Sequence, residues 1–176
     1  MRRVCVLLLL AALLVSALSG CGLQVPRPEI KVGEFAFSVT YELNGKTKTV
    51  SGVYVCEFAG TDWALDGGYS RAWDSYIEYG YKAQLSYSED DSVVIGLTEN
   101  DDTMWLDFGF DPEYFMGDPG WASWEGVPEP ALSIGITTEE GFYFETDAAV
   151  IEETYGAKLI SYEYAEPIEN TFGLFK

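Results

Sequence analysis

An all-β antiparallel sandwich, with a partly open barrel as the alternative closure, is the fold class that three features of the sequence predict. Phe35, Phe37, Val39 and Tyr41 alternate strictly with Ala36, Ser38, Thr40 and Glu42, the two-residue period of a strand with one buried face. Asn44-Gly45 interrupts the pattern with the dipeptide most favoured in two-residue hairpin turns. Short apolar runs separated by turn residues then recur to the C-terminus, which suits a sandwich or barrel.

The hairpin fixes a register. Closing it with Leu43 opposite Lys46 sets Val39 against Val50, Phe37 against Gly52 and Phe35 against Tyr54. Cys56 then shares the phenylalanine face and reads as a buried thiol, free cysteine being among the most buried residue types. Val53 and Val55 fall on the opposite face, which predicts partial cover there or a bulge.

The next stretch, SRAWDSYIEYG, has Trp73, Tyr76, Ile77 and Gly80 at helical spacing, but its aromatic content favours a strand over 70–80. In YGYKAQLSYS, Tyr79, Tyr81, Ala83, Leu85 and Tyr87 alternate with polar residues. VVIGLT reads as a strand buried on both faces. TMWLDFGF places Met104, Leu106, Phe108 and Phe110 on one side, and ALSIGIT does the same with Leu132, Ile134 and Ile136. FYFET and AKLISYEY complete the strands. One short helix is expected, AAVIEETY, with Asp147 as N-cap, Val150, Ile151 and Tyr155 on one side, and Gly156 as its stop. Asp111 to Pro130 carries four prolines and three glycines between its acids and aromatics and reads as a long loop, a kind of segment that often carries function.

The N-terminus has a different character. Arg2 and Arg3 precede an apolar run from Val4 to Leu18, followed by Ser19, Gly20 and Cys21. Charge, greasy core and small residues are the layout of a secretory signal peptide. The run is shorter than the roughly 20 residues a spanning helix needs. Residues 1–20 are thus expected to be removed, 21–33 to form a flexible linker headed by Cys21, and 34–176 to form the domain. The segment LSGC resembles the lipobox of bacterial lipoproteins. That resemblance implies that Cys21 carries a two-chain lipid, which anchors stably because each buried methylene contributes about 0.8 kcal/mol.

Composition excludes several functions. The chain has 29 acidic and 10 basic residues, and losing Arg2 and Arg3 would take the net charge to −21. No Lys or Arg occurs from Ala83 to Ala157, a window with 18 carboxylates. Such a surface repels phosphate, so nucleic acid is not an expected partner. The chain contains no histidine, which removes the commonest general base and the usual triads. Cys56 alone would remain as a thiol, leaving no internal disulfide and no cysteine-rich metal site. No dinucleotide fingerprint, P-loop or nucleophile elbow occurs, and no cofactor is expected.

Three weaker chemistries remain. Paired carboxylates could support glycoside hydrolysis, but 29 acids meet the spacing by chance. SEDDS and ENDD, with Asp107 and Asp111, offer oxygen ligands to calcium, yet lack the EF-hand spacing and read as solvated turns, so no metal ligand is assigned. The candidate ligand-binding residues are aromatic: Trp63 in GTDWALDGG, and Tyr114, Phe115, Trp121 and Trp124 in the long loop. Exposed aromatic rings beside carboxylates stack on sugars or anchor protein partners; buried, they would cap the sandwich. The sequence predicts one exposed patch from Tyr114 to Trp124.

The opening EFAFSVTYELNGK…VSGVYVCEFAG and the close YGAKLISYEYAEPIENTF resemble a group of uncharacterised lipoproteins of Gram-positive bacteria. The resemblance covers both ends of the mature domain and implies display on the outer face of the cell membrane; it carries no activity. The expected function is a membrane-tethered extracellular lipoprotein acting as a non-enzymatic binding or accessory module, with a cell-surface glycan or protein as candidate partner. The alternatives are a carbohydrate or cell-wall binding protein and a carboxylate-based hydrolase.

Overall fold

A computed structural model describes residues 25–63, 69–79, 92–97, 102–120, 126–138 and 141–173. The domain is an antiparallel β-sandwich of two four-stranded sheets with a small two-stranded ribbon at one end. Strands β2 (Val32–Leu43), β3 (Lys46–Trp63), β4 (Tyr69–Tyr79) and β9 (Ala157–Tyr164) form the first sheet in the order β4-β3-β2-β9. Strands β5 (Ser92–Leu97), β6 (Thr103–Asp107), β7 (Ala131–Thr138) and β8 (Gly141–Glu145) form the second in chain order. The ribbon pairs β1 (Arg27–Pro28) with β10 (Phe172–Gly173). Among the described residues neither sheet closes on itself, so the fold is the expected sandwich and not a closed barrel.

The first hairpin has the register its turn dictates: Leu43 faces Lys46, Val39 faces Val50 and Phe35 faces Tyr54. Asn44 and Gly45 both adopt positive φ, at 52° and 69°, as a type I′ turn requires. Phe35, Phe37, Val39, Tyr41 and Leu43 all face inward, and Cys56 is fully buried beside them. Val55, on the opposite face, is also buried, so that face is covered locally as the valine pair predicts. The ambiguous 70–80 stretch is strand, running antiparallel to β3.

The second sheet contributes Val93, Ile95, Met104, Leu106, Leu132 and Ile134 to the same core. Phe108, just beyond β6, packs its ring 4.8 Å from Phe37 across the interlayer space. Tyr164 donates a hydrogen bond of 2.7 Å to the Phe108 carbonyl. Burial, followed by Tyr162 and Asp107 nearby, pushes the Tyr164 phenol far above its usual pKa.

The expected C-terminal helix is α2 (Ala148–Tyr155). Asp147 accepts from the N–H groups of Ala149 and Val150, and Gly156 ends the helix in the left-handed region. Ile151 alone of its apolar side is fully buried, while Val150 is exposed.

The structure changes three other expectations, and a fourth lies outside what it describes. β5 is not buried on both faces: Val93 and Ile95 point inward, while Val94 and Leu97 are exposed. Among the described residues it pairs with β6 alone, and an irregularity between Val94 and Gly96 resets its register against β6. The long loop contains a second helix, α1 (Pro112–Phe115), capped by Asp111 with Pro112 at its first turn. The linker does not extend to Gly33. From Arg27 the chain is tied down, with Glu29 N–H donating to the Thr171 carbonyl at 2.8 Å and Asn170 bonding both backbone groups of Ile30. The strand expected in YGYKAQLSYS lies almost wholly outside the described residues.

Candidate functional site

Two places merit a functional reading: the base of the aromatic loop and the outer face of the second sheet.

At the loop base, α1 lies over the core, and its ring Phe115 is 1% exposed. Phe115 packs against Phe35, Tyr54 and Phe110 with centroids 5.0 to 5.7 Å apart. The expected exposed patch therefore excludes Phe115. Amphipathic packing decided this: one short helical turn sends Phe115 inward and leaves Tyr114 half-buried at the rim, edge-on to it at 5.2 Å.

Beyond α1 the chain is held by a buried ion pair. Arg71 on β4 donates from Nε and Nη2 to the two carboxylate oxygens of Asp118, at 2.6 and 2.5 Å. The Trp73 indole N–H donates to Asp118 at 2.8 Å, and the Gly120 N–H at 2.7 Å. Burial alone would raise the Asp118 carboxyl; the hydrogen bonds from Arg71, Gly120 and Trp73, and the charge of Arg71, outweigh it and hold the group below its usual value. The guanidinium also lies 4.9 Å above the Phe172 ring and reaches the Pro26 carbonyl. This one side chain joins the first sheet, the loop and the terminal ribbon. A carboxylate with four donors has no lone pair directed at a ligand, so Asp118 is a structural anchor.

The loop returns with Pro128 and Pro130 buried. Gly109, at φ 61°, lets Glu129 approach so closely that a Cβ there would sit 2.5 Å from the Glu129 carbonyl oxygen. Both ends of the segment carrying Trp121 and Trp124 are thus fixed, while those two tryptophans lie outside the described residues, as does Cys21. Trp63 is the last residue of β3, opposite Tyr69 and two positions from the Thr61–Arg71 pair. Of the calcium candidates, Asp107 accepts from the Gly109 N–H and Asp111 caps α1; all of SEDDS but Ser92 and all of ENDD but Asp102 lie outside the described residues. Among the described residues no cluster of three or more acidic or cysteine side chains is placed to hold a metal.

The second place was not singled out by sequence. On the outer face of the second sheet, Val94 and Trp105 are cross-strand partners, and Phe142 and Phe144 stand on β8 opposite Thr137 and Gly135. Phe142 and Phe144 are 57% and 55% exposed. Their rings meet edge to face at 4.9 Å. Gly135 is the reason they lie where they do: a Cβ at that position would come within 2.8 Å of the Phe142 ring. Leu97 adds another exposed apolar side chain. The two phenylalanines alone leave roughly 200 Å² of ring in water, whose burial would contribute up to about 5 kcal/mol before ordering costs. On the other side of β8, Tyr143 is half exposed. Desolvation, then Asp102, Tyr143 and Glu145, raise the Tyr155 phenol, which places these groups in one electrostatic neighbourhood. The only sequence signal for this surface was three consecutive aromatics in FYF, which fix no face until the strand has a partner.

The chain is an antiparallel β-sandwich whose second sheet exposes Phe142 and Phe144 on its outer face. No protein-family model matches it, and neither a curated protein nor a solved structure matches it.

Proposed function

We propose that this protein is a lipid-anchored extracellular lipoprotein whose β-sandwich is a non-enzymatic binding module, and that the outer face of the second sheet is its binding surface. The observation that carries the binding reading is the pair Phe142 and Phe144, more than half exposed and ordered against Gly135. Exposed contiguous apolar patches on soluble domains mark interaction surfaces. The tether rests on the leader and Cys21. Five residues separate Cys21 from Arg27, a reach of at most about 20 Å, so the lipid would hold the domain close to the membrane. Like-charge repulsion from anionic headgroups would keep it from lying flat, beyond a Debye length of about 8 Å. Among the described residues no helix is long and apolar enough to cross a membrane.

Mass spectrometry of protein from native membranes should find a diacylglyceryl group on Cys21, and protease added to intact cells should degrade the domain. A bare sulfur, a retained leader or full protection in intact cells would overturn the tether. Cys21→Ala should leave the protein in the unprocessed form or release it from the membrane fraction.

A further inference from the structure

We infer that the outer face of the second sheet, together with the open edge of β8, binds a basic polypeptide segment in extended conformation, with apolar and cationic side chains in alternation. This rests on the binding-module reading above and names its ligand.

Three observations point to that class. First, β8 is an edge: it pairs with β7 on one side, and among the described residues no strand pairs with it on the other. In an antiparallel ladder about half the backbone N–H and C=O groups of such a strand point to the open side, where an extended peptide can add as a further strand. Second, the two sides of β8 differ. Phe142 and Phe144 share the outer face, while Tyr143 and Glu145 share the other. A strand laid alongside would set alternate residues beside each pair: apolar ones against the rings, cationic ones beside Glu145. Third, the charge is one-sided. From Ala83 to Ala157, a window that contains the whole second sheet, there is no Lys or Arg against 18 carboxylates.

That charge also selects among occupants. A second copy would bring an equally cation-free acidic surface against the first. An anionic lipid surface or a nucleic acid would be repelled. A basic segment gains long-range attraction, and its cations can also sit over the phenylalanine faces.

The test uses the full-length lipoprotein in non-ionic detergent and a fluorescein-labelled octapeptide of alternating Val and Lys, followed by anisotropy. Binding is expected, weakening as salt rises, and falling at least tenfold in the Phe142→Ser/Phe144→Ser double variant. A Val/Glu peptide should not bind, and methylating alternate peptide amides should abolish binding in one of the two registers. Hydrogen exchange on the unmodified protein should show slowed β8 amides when the Val/Lys peptide is added, which needs no variant to fold. Absence of binding, equal binding by the double variant with an unchanged denaturation midpoint, or unaltered β8 exchange would overturn the proposal. So would cell-wall oligosaccharide binding that is lost in the same double variant while the peptide does not bind. None of these outcomes touches the lipid on Cys21, so the tether is judged separately.

Discussion

The outward residues of β2 and β3 in the first sheet include Ser38, Thr40, Thr49 and Ser51 beside a buried Val55, with Tyr76 of β4 half exposed next to it, and Thr40 and Thr49 share a 3.0 Å hydroxyl hydrogen bond. The outward residues of the second sheet include Val94, Leu97, Phe142 and Phe144. Both sheets bury apolar side chains in one core. The first sheet also carries cations on β3, β4 and β9, with Lys158 paired to Glu42 and Glu152 at 3.8 and 3.1 Å. The second carries none. The difference teaches that an inward pattern is set by the shared core, while an outward pattern is set separately for each sheet. A solvated face needs only hydroxyls and charges; a row of exposed rings lowers solubility and is explained by something that covers it.

Substitutions can break or sharpen that contrast. The largest effect should come from the core the sheets share. Phe108→Ala should lower stability by about 3–5 kcal/mol and Phe37→Ala by a similar amount, read as a fall in urea midpoint at constant m-value. A cost confined to one of them would mean that the sheets do not unfold together.

The ion pair holding the loop comes next. Arg71→Ala leaves the buried Asp118 carboxylate without its charge partner and should cost about 3 kcal/mol, with Arg71→Lys recovering only part because a lysine cannot make the two-pronged contact. The same pair predicts an acid limb. Because Asp118 is held below its usual value, its stabilisation is fully present above the unfolded-chain value of about 3.9 and is lost as pH falls through the folded value. Thermal melts of Asp118→Asn should be flatter over that range than those of the unsubstituted protein.

A smaller effect is expected at the end of α2. Gly156 lies at φ 62°, and Gly156→Ala should cost about 1 kcal/mol for the left-handed cap. Smallest of all, on stability, is the aromatic face. Phe144→Ser should shift the midpoint by no more than about 0.5 kcal/mol, and Lys158→Ala on the first sheet should leave it unchanged. A large destabilisation from Phe144→Ser would make the ring part of the core and erase the contrast between the faces.

Much of the fold was legible because its signals are local. Asn44-Gly45 and the alternation around it determine a register without reference to the rest of the chain. Asp147 and Gly156 bracket α2 for the same reason. The signal for α1 was also local, an aspartate before a proline, but its glycine- and proline-rich surroundings made the stretch read as loop. A loop there predicts an exposed Phe115, which the helical turn instead buries. The Arg71–Asp118 pair spans 47 residues, and no periodicity reports a contact of that separation. The face presented by FYF depended on which neighbour β8 found, and VVIGL gave no hint that Val94 and Leu97 would be exposed.

What the sequence determined by itself, then, was the β character, the opening register, the capped helix and the acidity of the second half. Each follows from residues within a few positions of one another or from simple counting. Tertiary structure decided which strands became edges, which aromatic turned into the core and which stayed in water, and which carboxylate was buried. Those outcomes depend on how the two sheets meet, because burial is a property of the assembled layers and not of any single segment.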